Sequence, residues 1–284
     1  MPAPSVDYAG LYRMHGADGF AMLDRMGAAV ALLDAAHMLI RTDEDRLWRV
    51  RENLTVDSSA LSLGEEPAAW SVHTDEQGFR DHSDQGDWLA LGDSCTFGWG
   101  VDTDFTLEIE ARSEHRVRNR GVPGYSVLQG ERVAEPSRVL LLNFGANDGH
   151  MVLQGDAERL NARQTRVGRL RFGLAQLHLV RHARNLLYRP WAKGTVLAWQ
   201  AGAYRPRVGP EAFEGALLRL SEGAEQTVLL QICARDEYGD AMARVAATSP
   251  SIHHLLYDGD TVDGCHPTAQ GHAQLAADVL ALGL

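Results

Sequence analysis

Lysine is nearly absent from this chain of 284 residues, in which Lys193 is the only lysine and arginine supplies the other basic residues. Acidic residues outnumber basic ones by 38 to 27, so the formal net charge is −11. Proteins that bind nucleic acid neutralise its phosphates with clustered lysine and arginine. The shortage of positive charge therefore argues against a nucleic-acid partner. We give the bias toward arginine no functional weight.

Cysteine and long apolar runs are also scarce. The three cysteines, Cys95, Cys233 and Cys265, are too few and too scattered for a disulfide framework or for a zinc site with paired spacing. We therefore expect reduced thiols and a cytoplasmic protein. Charged residues interrupt the apolar segment over residues 20–40, so neither a signal peptide nor a membrane span is expected.

The chain does contain an apolar run that ends abruptly at small and reactive residues, Trp88-Leu-Ala-Leu-Gly-Asp-Ser94. Four apolar residues suit a short strand buried on both faces, and Gly92 allows a tight backbone after it. Ser94 would then stand at the carboxyl end of the strand, where open α/β sheets bind ligands. Taken alone, Gly-Asp-Ser is more often a plain turn between a strand and a helix.

Three further stretches supply the other residue types that acyl transfer needs. They are Asn119-Arg-Gly-Val-Pro-Gly-Tyr-Ser126, Asn143-Phe-Gly-Ala-Asn-Asp-Gly149 and Asp263-Gly-Cys-His-Pro267. Together with Gly92-Asp93-Ser94, this set resembles the four blocks of the SGNH (GDSL-type) hydrolase family, in the family's order. The resemblance is to a bacterial branch of the family that carries an N-terminal extension.

The resemblance implies a role for five residues when it is carried over position by position. Ser94 would be the nucleophile, His266 the general base and Asp263 the carboxylate that orients the base. The oxyanion hole would be formed by the backbone N–H groups of Ser94 and Gly124 and by the side-chain amide of Asn147.

The chemistry of these residue types agrees with those roles. A serine hydroxyl is a poor nucleophile at neutral pH, so it needs a base within hydrogen-bond reach and a third group that fixes the tautomer of that base. The spacing of Asp263 and His266 lets the carboxylate reach one imidazole nitrogen while the other faces Ser94. Asp-x-x-His could also be a cap and turn or half of a metal site, and Asn147 could be a turn residue. No second cluster of acidic residues and histidine supports a metal, and neither a metal nor a cofactor is expected.

The G-x-S-x-G nucleophile elbow of the α/β-hydrolases is missing, because Thr96 stands at the second glycine position. This disfavours a lipase of that type. We expect Asp93 to orient its neighbours rather than to serve as the acid of the triad. Cys95 and Cys265 adjoin the candidate nucleophile and base, so the two thiols are expected to lie near each other.

From Trp88 onward, short apolar runs alternate with helical patterns, which predicts a doubly wound α/β/α domain with a mainly parallel five-stranded sheet. The resemblance implies the flavodoxin-like strand order 2-1-3-4-5. Strands are predicted over residues 88–91, 116–119, 138–143, 227–233 and 252–257. Helices are predicted over residues 126–134, 157–188, 210–222, 237–247 and 268–282.

Residues 1–85 are predicted to form an N-terminal extension, and residues 86–284 the catalytic domain. The extension is expected to begin with an amphipathic helix over residues 18–39. Its segments Arg46-Leu-Trp-Arg49 and Gly78-Phe-Arg-Asp81 are similar to short pieces upstream of the serine in the same bacterial branch. They favour a β-rich cap beside the active-site end of the sheet, with an independent domain as the alternative.

The predicted function is that of a serine esterase or deacylase that works through an acyl-enzyme. Its substrate would be a carboxylic ester, a short acyl group on a sugar or on another small metabolite, with neither nucleic acid nor a membrane as partner. Two alternatives stay open. One is an O-acyltransferase with the same Ser-His-Asp site, and the other is a non-catalytic binding protein.

Overall fold

A computed structural model describes residues 39–57, 70–80, 85–152, 154–175 and 204–284. The chain divides into two compact units. Unit 1 consists of residues 1–48 and 150–207, and unit 2 of residues 49–149 and 208–284. All the candidate site residues lie in unit 2.

The secondary-structure elements are numbered here in chain order. The strands are β1 (Ile40–Asp43), β2 (Leu47–Val50), β3 (Thr55–Asp57), β4 (Ser71–His73), β5 (Trp88–Gly92), β6 (Val117–Gly121), β7 (Ser137–Asn143), β8 (Met151–Val152), β9 (Arg205–Pro206), β10 (Ala224–Gln231) and β11 (Ile252–Leu256). The helices are α1 (Ser94–Phe97), α2 (Phe105–Arg112), α3 (Val127–Gly130), α4 (Asp156–Gln164), α5 (Arg166–Ala175), α6 (Pro210–Ser221), α7 (Asp236–Ala246) and α8 (Ala269–Leu280).

The sheet of unit 2 has five parallel strands in the spatial order β11-β10-β7-β5-β6. Counted along the chain from β5, this is the order 2-1-3-4-5, so the predicted topology is confirmed. In the register of the sheet, Gly92 of β5 lies beside Gly121 of β6 and Asn143 of β7. The carboxyl ends of these three strands therefore form one stretch of the sheet edge.

Both faces of the sheet are covered, which explains why β5 is apolar throughout. Trp88 and Ala90 point to one face and join a buried cluster with Ile109 of α2 and Leu275 of α8. Leu89 and Leu91 point the other way and are also fully buried. A strand buried on both faces reads as a continuous apolar run rather than as an alternating one.

The helices differ from the predictions in three places. Helix α2 was not predicted; it begins at a local signal, because the Asp104 carboxylate accepts a hydrogen bond of 2.8 Å from the backbone N–H of Thr106. Helix α3 is shorter than predicted and ends at Gly130. The prediction of a single helix over residues 157–188 is wrong for its described part, which ends at residue 175. In that part the extended backbone of Thr165 separates α4 from α5. Among the described residues, no helix is long and apolar enough to span a membrane.

The described part of the N-terminal extension is built of short strands. In unit 2, β3 pairs with β4 in an antiparallel ladder that places Thr55 beside His73. The helix predicted over residues 18–39 lies outside the described residues except for Leu39. That residues 1–85 cap the catalytic domain stays a prediction.

Unit 1 includes a long segment that interrupts unit 2 between β7 and α6. Within this segment, the buried Arg207 guanidinium donates to Asp156 Oδ2 at 3.1 and 2.7 Å. The chain leaves unit 2 after Gly149 and returns at Val208, whose backbone N–H donates to the carbonyl oxygen of Asp148 at 3.1 Å. The points of exit and return are therefore hydrogen-bonded neighbours.

Candidate active site

Ser94 is the first residue of α1 and directly follows β5 through Asp93. The Asp93 carboxylate caps the helix by accepting a hydrogen bond of 3.0 Å from the backbone N–H of Cys95. A Cβ on Gly92 would lie 2.1 Å from Oγ1 of Thr96, so only glycine fits at the end of the strand. This tight junction holds the Ser94 hydroxyl at the carboxyl edge of the sheet.

His266 and Asp263 reach Ser94 from a turn that lies 172 residues away from it in the sequence. A hydrogen bond of 2.8 Å joins His266 Nε2 to Ser94 Oγ, and one of 2.7 Å joins His266 Nδ1 to Asp263 Oδ2. The other Asp263 oxygen accepts from the backbone N–H groups of His266 at 2.9 Å and Cys265 at 3.1 Å. The three side chains are thus arranged in series, with the imidazole in the middle.

The charge of Asp263 is fixed by these contacts. Burial by itself would raise the pKa of this carboxyl, but the hydrogen bonds and charge of His266, together with the backbone N–H donors, outweigh burial and hold the pKa well below its usual range. Asp263 is therefore an ionised acceptor, which favours the imidazole tautomer with its proton on Nδ1. Nε2 is then left to accept a proton from Ser94.

Gly124 lies in a turn that is anchored to the nucleophile strand. The backbone N–H of Val122 donates to the carbonyl oxygen of Gly92 at 3.1 Å, and the N–H of Tyr125 closes the turn on the carbonyl oxygen of Val122 at 3.1 Å. Gly124 adopts a φ of 79°, which favours glycine over other residues at this point. The turn follows β6, the strand next to β5, so Gly124 lies at the same edge as Ser94.

Asn147 lies beyond β7, the strand on the other side of β5, and its side chain is held by the residue before the nucleophile. Asn147 Nδ2 donates to Asp93 Oδ2 at 2.8 Å. Burial raises the pKa of Asp93, and the hydrogen bonds from Cys95 and Asn147 oppose that rise. One buried carboxylate therefore orients both the start of α1 and the amide of Asn147.

Arg80 belongs to the segment Gly78-Phe-Arg-Asp81 named above, but the sequence alone assigns no role to its side chain. It is 5% exposed, and its guanidinium donates to the carbonyl oxygens of five residues, namely Phe97 (2.9 Å), Gly98 (2.7 Å), Val101 (2.6 Å), Asp102 (2.9 Å) and Ser71 (3.4 Å). Burial lowers the pKa of Arg80, and the charges of Asp104 and Asp102 counteract the effect of burial. Arg80 thus fixes the backbone that directly follows α1.

An aromatic pair borders the histidine. The ring centroid of Trp99 lies 6.4 Å from that of His266, and the ring of Trp70 meets Trp99 edge-on at 5.2 Å. Trp70 is buried, whereas Trp99 is half-buried. Trp99 therefore presents part of an indole ring next to the imidazole.

The cysteines differ from the sequence prediction. Cys233 and Cys265 form a disulfide, so the expectation of three reduced thiols is wrong for this pair. The predicted proximity of Cys95 and Cys265 is observed, with 3.9 Å between the two sulfur atoms. Among the described residues, these three cysteines form a group whose sulfur atoms lie close enough together to hold a metal ion. Two of the three sulfur atoms are used by the disulfide.

Residues 90–274 match the model of the GDSL-like lipase/acylhydrolase family. Solved structures that match this chain include a catalytic mutant of an acetylxylan esterase from Geobacillus stearothermophilus, at 16% identity over 68% of this chain and 92% of that chain, with a TM-score of 0.41. A carbohydrate esterase family 2 enzyme from Corynascus thermopiles matches at 12% identity over 69% of this chain and 66% of that one, with a TM-score of 0.41. A putative lipolytic protein of the G-D-S-L family from Desulfitobacterium hafniense matches at 13% identity over 69% and 98% of the two chains, with a TM-score of 0.40. The search of curated proteins gives no match.

Proposed function

The chain belongs to the GDSL-like lipase/acylhydrolase family and is a hydrolase of ester bonds, and from this premise we propose that it is a serine esterase that works through an acyl-enzyme on Ser94. The observation that carries the proposal is the series of hydrogen bonds from Ser94 through His266 to Asp263, at 2.8 and 2.7 Å. Both distances lie within the reach required for proton transfer and for orientation of the base.

In the first half of the reaction, Ser94 Oγ attacks the carbonyl carbon of the ester while its proton passes to His266 Nε2. Asp263 stabilises the imidazolium that forms, because its carboxylate is already ionised and bonded to Nδ1. The tetrahedral intermediate collapses when the alcohol oxygen leaves with the proton from Nε2. The acyl group is then bonded to Ser94.

The negative charge on the carbonyl oxygen requires donors that are already in place. We assign this role to the backbone N–H groups of Ser94 and Gly124 and to the side-chain amide of Asn147. The amide has two N–H bonds, so one can remain on Asp93 while the other points at the oxyanion. Asp93 would then prevent rotation of the amide, which keeps the reorganisation cost of the step low.

In the second half, water attacks the acyl-enzyme and gives its proton to His266, and the acid leaves as that proton returns to Ser94 Oγ. The net reaction is ester plus water to acid plus alcohol, with the enzyme regenerated. No step needs a cofactor.

The proposed substrate is a short acyl ester of a sugar or of another small metabolite. The support for a sugar is Trp99, whose half-buried indole lies beside His266 and is fixed from behind by Trp70. Indole rings combine a large apolar surface with a polar edge, which suits a ring that carries both C–H and O–H groups.

The nucleophile is tested with nitrophenyl acetate and with a fluorophosphonate that labels activated serines. We expect the wild type to hydrolyse the ester and to take up one label on Ser94, because the hydroxyl is activated by His266. Ser94→Ala should lose both properties and stay folded. The matched control is Ser221→Ala, which removes a hydroxyl that donates within α6 to the Leu217 carbonyl and should keep turnover. Normal turnover by a clean Ser94→Ala preparation would refute the assignment.

The same assay separates hydrolysis from transfer. Acetylated sugars are supplied with and without an added acceptor alcohol, and the products are identified by mass. Acetate as the product in both cases supports the esterase, whereas acetylation of the alcohol at the expense of acetate would assign a transferase.

A further inference from the structure

Three sulfur atoms that are far apart in the sequence meet beside the candidate nucleophile and base. Those of Cys95, Cys233 and Cys265 lie within 4.8 Å of one another. Cys233 and Cys265 are joined by a disulfide, and Cys95 is a free, buried cysteine. The proposed esterase mechanism uses none of the three.

Each cysteine is attached to a different part of the site. Cys95 follows Ser94 in α1, and Cys265 is the residue between Gly264 and His266 in the turn that carries the base. Cys233 lies just past the end of β10 and adopts a φ of 46°, in the left-handed region that favours glycine. The disulfide therefore links the turn of the base to the central sheet at a fixed point.

Apart from the disulfide, the turn contacts α1, where His266 binds Ser94 and the Cys95 thiol lies 3.7 Å from the Cys265 carbonyl oxygen, and it carries local backbone hydrogen bonds. The N–H of Val262 donates to the carbonyl oxygen of His266 at 2.8 Å, and the N–H of Thr268 donates to that of Asp260 at 3.0 Å. These bonds shape the turn, as do those from Asp263 to His266 within it. None of them connects the turn to β10, which is what the disulfide does.

We propose that the Cys233–Cys265 disulfide is a reducible clamp, an exchange site for a dithiol, that sets the position of His266 relative to Ser94. A dithiol thiolate attacks Cys233 Sγ, the Cys233–Cys265 bond breaks, and Cys265 leaves as a thiolate that takes up a proton. The second thiol of the reagent then displaces Cys233 and closes the oxidised, cyclic reagent. Two electrons and two protons pass to the protein, and two thiols result.

Cys95 stays outside this exchange, although its sulfur lies 3.9 Å from that of Cys265. Burial raises the pKa of the Cys95 thiol well above its ordinary value, the charges of Asp93 and Asp263 add to the rise, and a contact with Asn143 opposes it. A protonated thiol is not a nucleophile toward a disulfide. Cys233 therefore stays paired with Cys265, and Cys95 provides one free thiol as an internal reference when thiols are counted.

The first test counts thiols and does not depend on the proposed function. The untreated protein is unfolded in denaturant that contains iodoacetamide, and the alkylated cysteines are located by mass spectrometry. We expect one label, on Cys95, and three labels after treatment with dithiothreitol. Three labels in the untreated protein, or a single label on Cys233 or Cys265, would overturn the proposal.

The second test measures turnover and rests on the proposed role of His266. After reduction and removal of the reagent, kcat for nitrophenyl acetate should fall on the order of tenfold with KM little changed, because a displacement of about 1 Å can cost about 10²-fold and the turn keeps its local hydrogen bonds. Oxidation should restore it. Cys233→Ser should have the low kcat without treatment and should not respond, whereas Cys95→Ala should keep the response.

The two failures can be told apart. If protein with three free thiols keeps its full kcat, the proposal that the disulfide positions His266 is wrong, independently of the role of Ser94. If Ser94→Ala keeps its turnover while the thiol counts are as expected, the proposed function is wrong and the disulfide assignment stands.

Discussion

Replacing Arg80 with methionine is expected to destabilise the protein more strongly than most single changes. The guanidinium is 5% exposed and donates to five backbone carbonyl oxygens. Each hydrogen bond from a charged group contributes about 1.5–3 kcal/mol, but bonds that share one donor group do not add independently. Removal of one member of a buried charged network costs about 3–5 kcal/mol. For a chain of this size we expect a fall in Tm of roughly 10 °C.

Arg80→Lys separates the charge from the geometry. An ammonium keeps the positive charge near Asp104, but its three donors leave from one nitrogen, whereas the carbonyl acceptors are divided between two nitrogens of the guanidinium. We expect Lys to recover less than half of the lost stability. Both variants should also lower kcat, because the carbonyl oxygens of Phe97 and Gly98 belong to the backbone that holds α1 and Ser94 in place.

The measurement is urea unfolding at constant pH, with turnover of nitrophenyl acetate determined on the folded fraction. Arg244→Met is the control, because its side chain is 55% exposed and pairs with Glu214 at the surface, where removal of an ion pair costs less than about 1 kcal/mol. An Arg80→Met protein within about 1 kcal/mol of the wild type would refute this reasoning, because buried carbonyl oxygens cannot lose a charged donor at so small a cost.

Two further predictions concern the oxyanion hole and the acid side of the stability curve. Asn147→Ala should lower kcat by roughly 10²- to 10³-fold with KM little changed. Asn147→Asp should lower kcat at least as much, since it places a second carboxylate next to Asp93. A near-normal kcat for Asn147→Asp would show that Asn147 is only a turn residue. His272 is buried, which lowers its pKa to about 4. Between about pH 6.5 and 4, His272 is therefore protonated in the unfolded chain but neutral in the folded one. The contribution of His272 to the free energy of unfolding should therefore fall by about 3 kcal/mol between pH 6.5 and 4. Urea melts of His272→Gln should show a shallower fall with decreasing pH than those of the wild type, and an equally steep fall would contradict this assignment.

Much of the fold followed from patterns along the chain, and the exceptions have physical causes. The strand at Trp88 was predictable because burial on both faces demands an unbroken apolar run. Helix α2 was missed because it buries only Phe105, Thr106 and Ile109, too few for a clear helical period. Its start could have been found from Asp104, an acceptor placed directly before the helix.

The residues of the candidate site also fall into those that the sequence predicts and those that it does not. Ser94, Asp263 and His266 stand in motifs whose chemistry can be read locally, and the structure brings them together. The contacts of Arg80 join residues 9 to 22 positions apart, and the disulfide spans 32 residues, so neither leaves a local pattern. The pairing of Cys233 with Cys265 joins the end of β10 to the turn that carries the base, and composition and spacing do not reveal that these two places meet.

Because the backbone N–H of Val208 donates to the carbonyl oxygen of Asp148, the segment over residues 150–207 leaves and rejoins unit 2 at one place. Its two ends already lie side by side, so a shorter or longer replacement has no gap to bridge and leaves the register of β7 and β10 untouched. For a flexible connection between these two ends, each doubling of its length would cost only about 0.6 kcal/mol of closure entropy. We therefore expect that segments of other lengths can be inserted at this point while the order and register of the sheet strands stay the same.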